Sequence, residues 1–163
     1  MRVLAILLAP LALSACGLQP MYAGGGNGMV AQGLAAVDVP AIEGRDGWLV
    51  RNALTDRLSA AGQDAPRYRL DVRLDETLEG LGVVGDDAVS RERLTLRARY
   101  QLVDTATDTI MLDASASTDA GVDVVSSEYA VIAAEQTAEE RLAGALADRI
   151  VARVALTLRK QAE

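Results

Sequence analysis

Val89-Ser-Arg-Glu-Arg-Leu-Thr-Leu-Arg-Ala-Arg-Tyr-Gln-Leu-Val103 alternates with a period of two. Leu94, Leu96, Ala98, Tyr100 and Leu102 fall on one side, and Arg91, Arg93, Thr95, Arg97, Arg99 and Gln101 on the other. Successive side chains of a strand point to opposite faces, so the stretch predicts a long strand with one apolar and one arginine-rich face. Upstream, Arg67 to Leu78 repeats the pattern. Tyr68, Leu70, Val72 and Leu74 point inward, and Arg67, Arg69, Asp71, Arg73 and Asp75 outward. Gly80 to Asp87 reads as the loop between the two. Downstream, Asp104-Thr-Ala-Thr-Asp108 has hairpin-turn chemistry. It leads into a return strand from Thr109 to Thr118, with Ile110, Leu112, Ala114 and Ala116 inward, and then a connection from Gly121 to Ser127.

The flanks switch to a helical period. From about Arg45 to Ala61, Val50, Leu54, Leu58 and Ala61 form one apolar stripe, with Asp46 as the expected N-cap and Gly62 as the stop. A short apolar helix is expected from Glu128 to Ala134. Thr137-Ala-Glu-Glu140 has capping-box spacing, which starts a separate last helix running to about Lys160. Its stripe is Leu142, Leu146, Ile150, Val154 and Leu158, and Arg159 and Lys160 suit its C-terminus. Leu34 to Val39 reads as a short strand ended by Pro40. Two helices with one apolar stripe each must share the apolar sheet face. The expected fold is α+β: a two-layer sandwich of a mostly antiparallel four-stranded sheet with two helices on one face.

The N-terminus reads as an export signal. Met1-Arg2 is a short basic start, Val3 to Leu13 an apolar run too short to span a bilayer, and Leu13-Ser-Ala-Cys16 resembles a bacterial lipobox. The expected organisation is a lipoprotein signal peptide over 1–15, a lipidated flexible tether over 16–33 rich in glycine, and a single α+β domain over 34–163. Cys16 is the sole cysteine and the expected lipidation site, so the fold rests on packing without a disulfide.

Composition narrows function. The net charge of −7 argues against general nucleic-acid binding. There is no histidine, and with Cys16 acylated, zinc sites and histidine-based triads are excluded. No metal site, catalytic residue or cofactor is expected beyond the covalent lipid on Cys16. Gly80-Leu-Gly-Val-Val-Gly85 spells a dinucleotide fingerprint, but the period of two after it calls for a strand where that motif needs a helix. Asp86-Asp87 alone does not make a calcium loop.

What the pattern does concentrate is arginine. Arg67, Arg69 and Arg73 are expected on one strand beside Arg91, Arg93, Arg97 and Arg99 on its neighbour, with Asp71, Asp75 and Asp113 as local offsets. Such a face reads either as a docking surface for phosphate, carboxylate or an acidic partner wall, or as a solvated sheet face.

Cys16-Gly-Leu-Gln-Pro-Met-Tyr22, followed by glycines, resembles the start of the lipopolysaccharide-assembly lipoprotein LptE family in its alphaproteobacterial form. Arg45-Asp-Gly-Trp-Leu-Val-Arg-Asn52 resembles that family's first helix, and the order of elements matches it along the mature chain. Leu18, Met21 and Ala23 depart mildly from its pattern. The resemblance implies a lipid-anchored, non-enzymatic protein on the periplasmic side of the outer membrane. It implies an LptD-like outer-membrane β-barrel as partner, whose lumen the protein plugs, and lipopolysaccharide as the lipid handled. The seven arginines are then candidate contacts for lipid anions or for the barrel wall. Two alternatives stay open: an accessory lipoprotein of a trans-envelope lipid ABC transporter, and a lipid-anchored periplasmic enzyme.

Overall fold

The computed structural model describes residues 28–60, 62, 64–84 and 88–162. The signal stretch, Cys16 and the tether as far as residue 27 lie outside the described residues, as do Ala61 and the loop residues Gly85 to Asp87. The elements run α1 (Met29–Ala35), β1 (Val37–Asp38), α2 (Gly44–Ser59), β2 (Tyr68–Val84), β3 (Ala88–Asp104), β4 (Thr109–Asp123) and α3 (Glu128–Ala162). The sheet order is β1-β2-β3-β4, with β1 parallel to β2 and the other pairs antiparallel.

The alternating apolar residues form the core as their period requires. Leu70, Leu94, Leu96, Ala98, Tyr100 and Leu102 are buried against Val50, Leu54 and Leu58 of α2 and Leu142, Leu146, Ile150, Val154 and Leu158 of α3. Each fully buried aliphatic side chain contributes roughly 1.5–3 kcal/mol, so a core without phenylalanine suffices. The layers and sheet are as the sequence predicts, with a third, short helix added.

Several local expectations change. Met29–Ala35 is a helix where the end of the tether and a strand from Leu34 were expected, leaving β1 only two residues. Ala31 and Leu34 bury themselves, and Gly33 lies so close to α3 that an added Cβ would sit 3.2 Å from Leu158 Cδ1. That glycine serves close helix packing, not chain flexibility. The N-cap of α2 is Glu43, not Asp46, which sits in the first turn. β2 runs through Gly80 to Val84, so most of the expected loop is strand. β4 continues five residues past Thr118.

A bulge between Leu102 and Val103 places Ile110 opposite Val103, and Ile110 is exposed instead of inward. α3 is one helix of 35 residues with no break at Thr137. The Thr137 hydroxyl donates to the Ala133 carbonyl, an intrahelical bond that replaces the expected cap. At about 1.5 Å per residue α3 is roughly 50 Å long.

This geometry gives the molecule two ends. α1, the start of β2, the β3–β4 turn and the C-terminal end of α3 gather at one. The Arg67 and Tyr68 amides both donate to the Ala36 carbonyl there, and Thr105 bonds the Arg67 carbonyl through its amide and its hydroxyl. The last residues of β2, the first of β3 and the start of α3 lie at the other. Residue 28 enters at the α1 end.

Candidate functional site

The period of two puts Arg69, Arg73, Arg91, Arg93, Arg97 and Arg99 on the sheet face away from the helices. Arg67 stands one residue before β2, its guanidinium 5.1 Å over the Tyr68 ring and 3.4 Å from Asp104 Oδ2. The face is not an uninterrupted cationic surface. Because β2 and β4 are longer than expected, they add Glu79, Asp119 and Asp123 to Asp71, Asp75 and Asp113.

The register interleaves the two signs. Asp75 is opposite Arg97, Glu79 opposite Arg93 and Asp123 opposite Arg91. Arg91 Nε donates to Asp123 Oδ1 at 2.9 Å, and Arg69 Nε to both Asp71 oxygens at 3.0 Å. Arg99 and Gln101 share Asp113, with Arg99 Nη2 3.1 Å and Gln101 Nε2 2.8 Å from its Oδ2. Those two donors hold the Asp113 carboxyl below its usual range. Arg73 faces Arg99 directly, the one like-charge arginine pair in the β2–β3 register. The result is a broad lattice of alternating charge.

A second arrangement was missed by sequence reasoning. Arg149 and Arg153 of α3 stand beside β4 and, with Arg97, border a groove of about 580 Å³. Tyr100, Ala114 and Ala116 form its apolar part, Ser115 and Ser117 its rim, and no carboxylate lines it. Arg149 donates to the Ser117 carbonyl. The Tyr100 hydroxyl has its pKa raised by burial and held back by the Arg153 charge. The i, i+4 spacing of Arg149 and Arg153 is visible in the sequence, but which strand they face is not. Chemically the groove suits an anion.

A third cluster joins the layers. The carboxylates of Asp46, Glu76 and Glu139, from α2, β2 and α3, lie within 4.8 Å of one another. Arg45 pairs with Glu139. Burial, then the Asp46 carboxylate, pushes Glu76 up to about 7. Burial also raises Glu139, partly opposed by Arg45. One proton held between carboxylates relieves this crowding.

Known proteins place the chain. Residues 34–154 match the family model LptE, lipopolysaccharide-assembly, from the end of α1 through the whole sheet and most of α3. No curated protein sequence matches. Among solved structures, a candidate lipoprotein from Caulobacter crescentus CB15 is similar at 25% identity and a TM-score of 0.64, covering 80% of this chain and 96% of that one. The rare lipoprotein B from Shewanella oneidensis shares the fold at 13% identity and a TM-score of 0.57, over 77% of this chain and 100% of its own. A minor lipoprotein from Acinetobacter baumannii does so at 14% and 0.53, over 74% and 88%. A match over the whole sheet and most of the last helix leaves one assignment: the chain belongs to the LptE lipopolysaccharide-assembly family.

Proposed function

We propose that this protein is an outer-membrane lipoprotein, anchored through Cys16, that seats in an LptD-like β-barrel and assists lipopolysaccharide assembly there. The observation that carries this is the family match across residues 34–154. The charge lattice supports the seating. An outer-membrane barrel has a polar lumen, and a plug that fits it needs a polar face able to exchange water for alternating donors and acceptors. Evenly interleaved arginine and carboxylate do this with little long-range repulsion from either sign. The polarity of the fold supports the anchoring. Met29, the first residue of α1, lies beside Leu158 and Gln161, so the described body begins at the C-terminal end of α3 and extends from there along that helix. Function then lies in binding and positioning, with no bond made or broken by the protein.

The test is a pull-down of the Cys16-anchored protein from native envelopes in mild detergent, with every co-purifying chain identified. A large outer-membrane barrel in equal amount is the expected result. Recovery of inner-membrane transporter subunits without a barrel overturns it and favours a transporter accessory instead.

A further inference from the structure

β4 is a free edge: it is last in the strand order, and among the described residues no strand pairs beyond it. Exposed edges normally carry lysine, proline or a bulge that blocks further pairing. Thr109–Asp123 has neither lysine nor proline, and its irregularity sits at the far end, opposite Val103. From Ala114 to Thr118 the side chains are small and uncharged, so a neighbouring backbone can approach closely. The Arg149 bond to the Ser117 carbonyl also shows which backbone groups face out. In an antiparallel strand the N–H and C=O of one residue point the same way, so Ser115 and Ser117 present both outward.

The charges beside this edge match a strand in spacing. Arg149 and Arg153 are one helical turn apart, about 6 Å on the helix surface. Alternate side chains on one face of a strand are about 6.8 Å apart. Carboxylates at alternate positions of an added strand therefore meet both arginines, while Arg97 reaches over Ser117 from the opposite face. Arg97 and Arg153 form none of the salt bridges found among the described residues.

We infer that β4 accepts a fifth strand, a short acidic extended segment of a partner protein, with its main chain on β4 and its carboxylates on Arg149 and Arg153. Arg149 gives up the Ser117 carbonyl and turns to the incoming carboxylate. A lipid headgroup could satisfy the guanidiniums but has no row of amides and carbonyls for the edge, which is why a peptide is the occupant named.

The experiment uses the full lipidated protein in detergent and a synthetic peptide alternating glutamate with valine and threonine. Amide exchange at Ser115 and Ser117 slows when the peptide binds. Replacing its glutamates by glutamine weakens binding about tenfold, the loss of one to two desolvated charge contacts. Ser115→Pro removes an outward donor, a position where an edge strand tolerates proline, and abolishes binding. Should Ser115→Pro not fold, Arg153→Glu decides: it weakens the glutamate peptide, and a lysine peptide binds the variant in its place. Equal binding of the glutamine peptide, or unchanged binding to a folded Ser115→Pro variant, overturns the inference. So does capture of phosphatidylglycerol vesicles by the arginines while the peptide leaves β4 exchange unchanged, which makes the groove a headgroup site. None of these outcomes depends on the barrel partner.

Discussion

Arg57 of α2 binds Asp148 and the Gly144 carbonyl of α3 with one guanidinium: its Nη2 lies 3.1 Å from Asp148 Oδ2 and 3.0 Å from the carbonyl, and its Nε also donates to Asp148. This is the polar lock between the two helices that cover the sheet. Arg57→Ala takes the second donor from the Gly144 carbonyl and the partner from Asp148, and is expected to cost about 1–2 kcal/mol. Arg57→Lys recovers less than half, because a point charge cannot hold two acceptors in a fixed fork. Denaturant midpoints check both. The bond to Arg57 depresses the Asp148 pKa below its reference of 3.8. A depressed carboxyl contributes stability above its unfolded pKa and loses it as pH falls through the folded one. Asp148→Asn therefore flattens the acid limb of the stability profile below about pH 4.

Glu76 gives the opposite slope. Its folded pKa is raised from 4.5 to about 7 by burial and the Asp46 carboxylate. Between those values the native state holds a proton that the unfolded chain has released. The native form binds more protons, so this group's contribution falls as pH rises through that window. Glu76→Gln keeps the hydrogen bonding of the protonated form without the charge. It is expected to raise the melting temperature at pH 8 and to leave it unchanged near pH 4. Thermal unfolding of both proteins across that range checks the sign, and equal curves sink the shared-proton account.

The fold was legible in the sequence because period does most of the work. The apolar residues at even positions from Leu94 to Leu102 are buried, as are Val50, Leu54 and Leu58 of the α2 stripe and the whole α3 stripe. What failed has local causes. Thr137-Ala-Glu-Glu140 has capping-box spacing, yet the helix before it continues because Ala133, Ala134 and Ala138 favour it throughout. Gly80 and Gly82 suggested a loop, but cross-strand pairing to Glu92 and the neighbouring residues carries β2 through them. Strand length then governed the site. Underestimating β2 and β4 hid Glu79, Asp119 and Asp123, and with them the neutrality of the arginine face. Arg149 and Arg153 were invisible as site residues because only tertiary packing brings α3 beside β4.

Two helical glycines separate packing from propensity. A Cβ on Gly47 would lie 2.5 Å from the Ile42 carbonyl oxygen, a backbone atom that cannot swing away. Gly47→Ala is expected to destabilise by about 1–3 kcal/mol despite the better helix former. Gly144 sits in α3 with its nearest neighbour, the Arg57 Nη2, at 3.6 Å from an added Cβ. Gly144→Ala fits and gains up to about 1 kcal/mol. Opposite shifts in melting temperature for the two variants are the expected reading.

On the sheet face the like-charge pair Arg73 and Arg99 sets a hierarchy among the carboxylates. Asp113 holds Arg99 through two hydrogen bonds and takes a third from Gln101, whereas Asp123 holds Arg91 through one. Removing Asp123 leaves Arg91 beside Leu81 and Gly121, with no cation directly opposite on either strand. Removing Asp113 leaves Arg99 facing Arg73 without the carboxylate that pairs with it from β4. Like charges directly opposite destabilise a sheet, so Asp113→Ala is expected to lower the melting temperature more than Asp123→Ala does. Arg73→Ala in the Asp113→Ala background recovers most of the loss, because the repulsion goes with the second arginine. Raising salt shrinks the Asp113→Ala cost, since these groups are exposed and screened. A double-mutant cycle at low and high ionic strength reads out both effects. Equal costs for the two single substitutions would mean that the lattice is held by its backbone ladder alone, with the interleaved charges kept for the surface they meet.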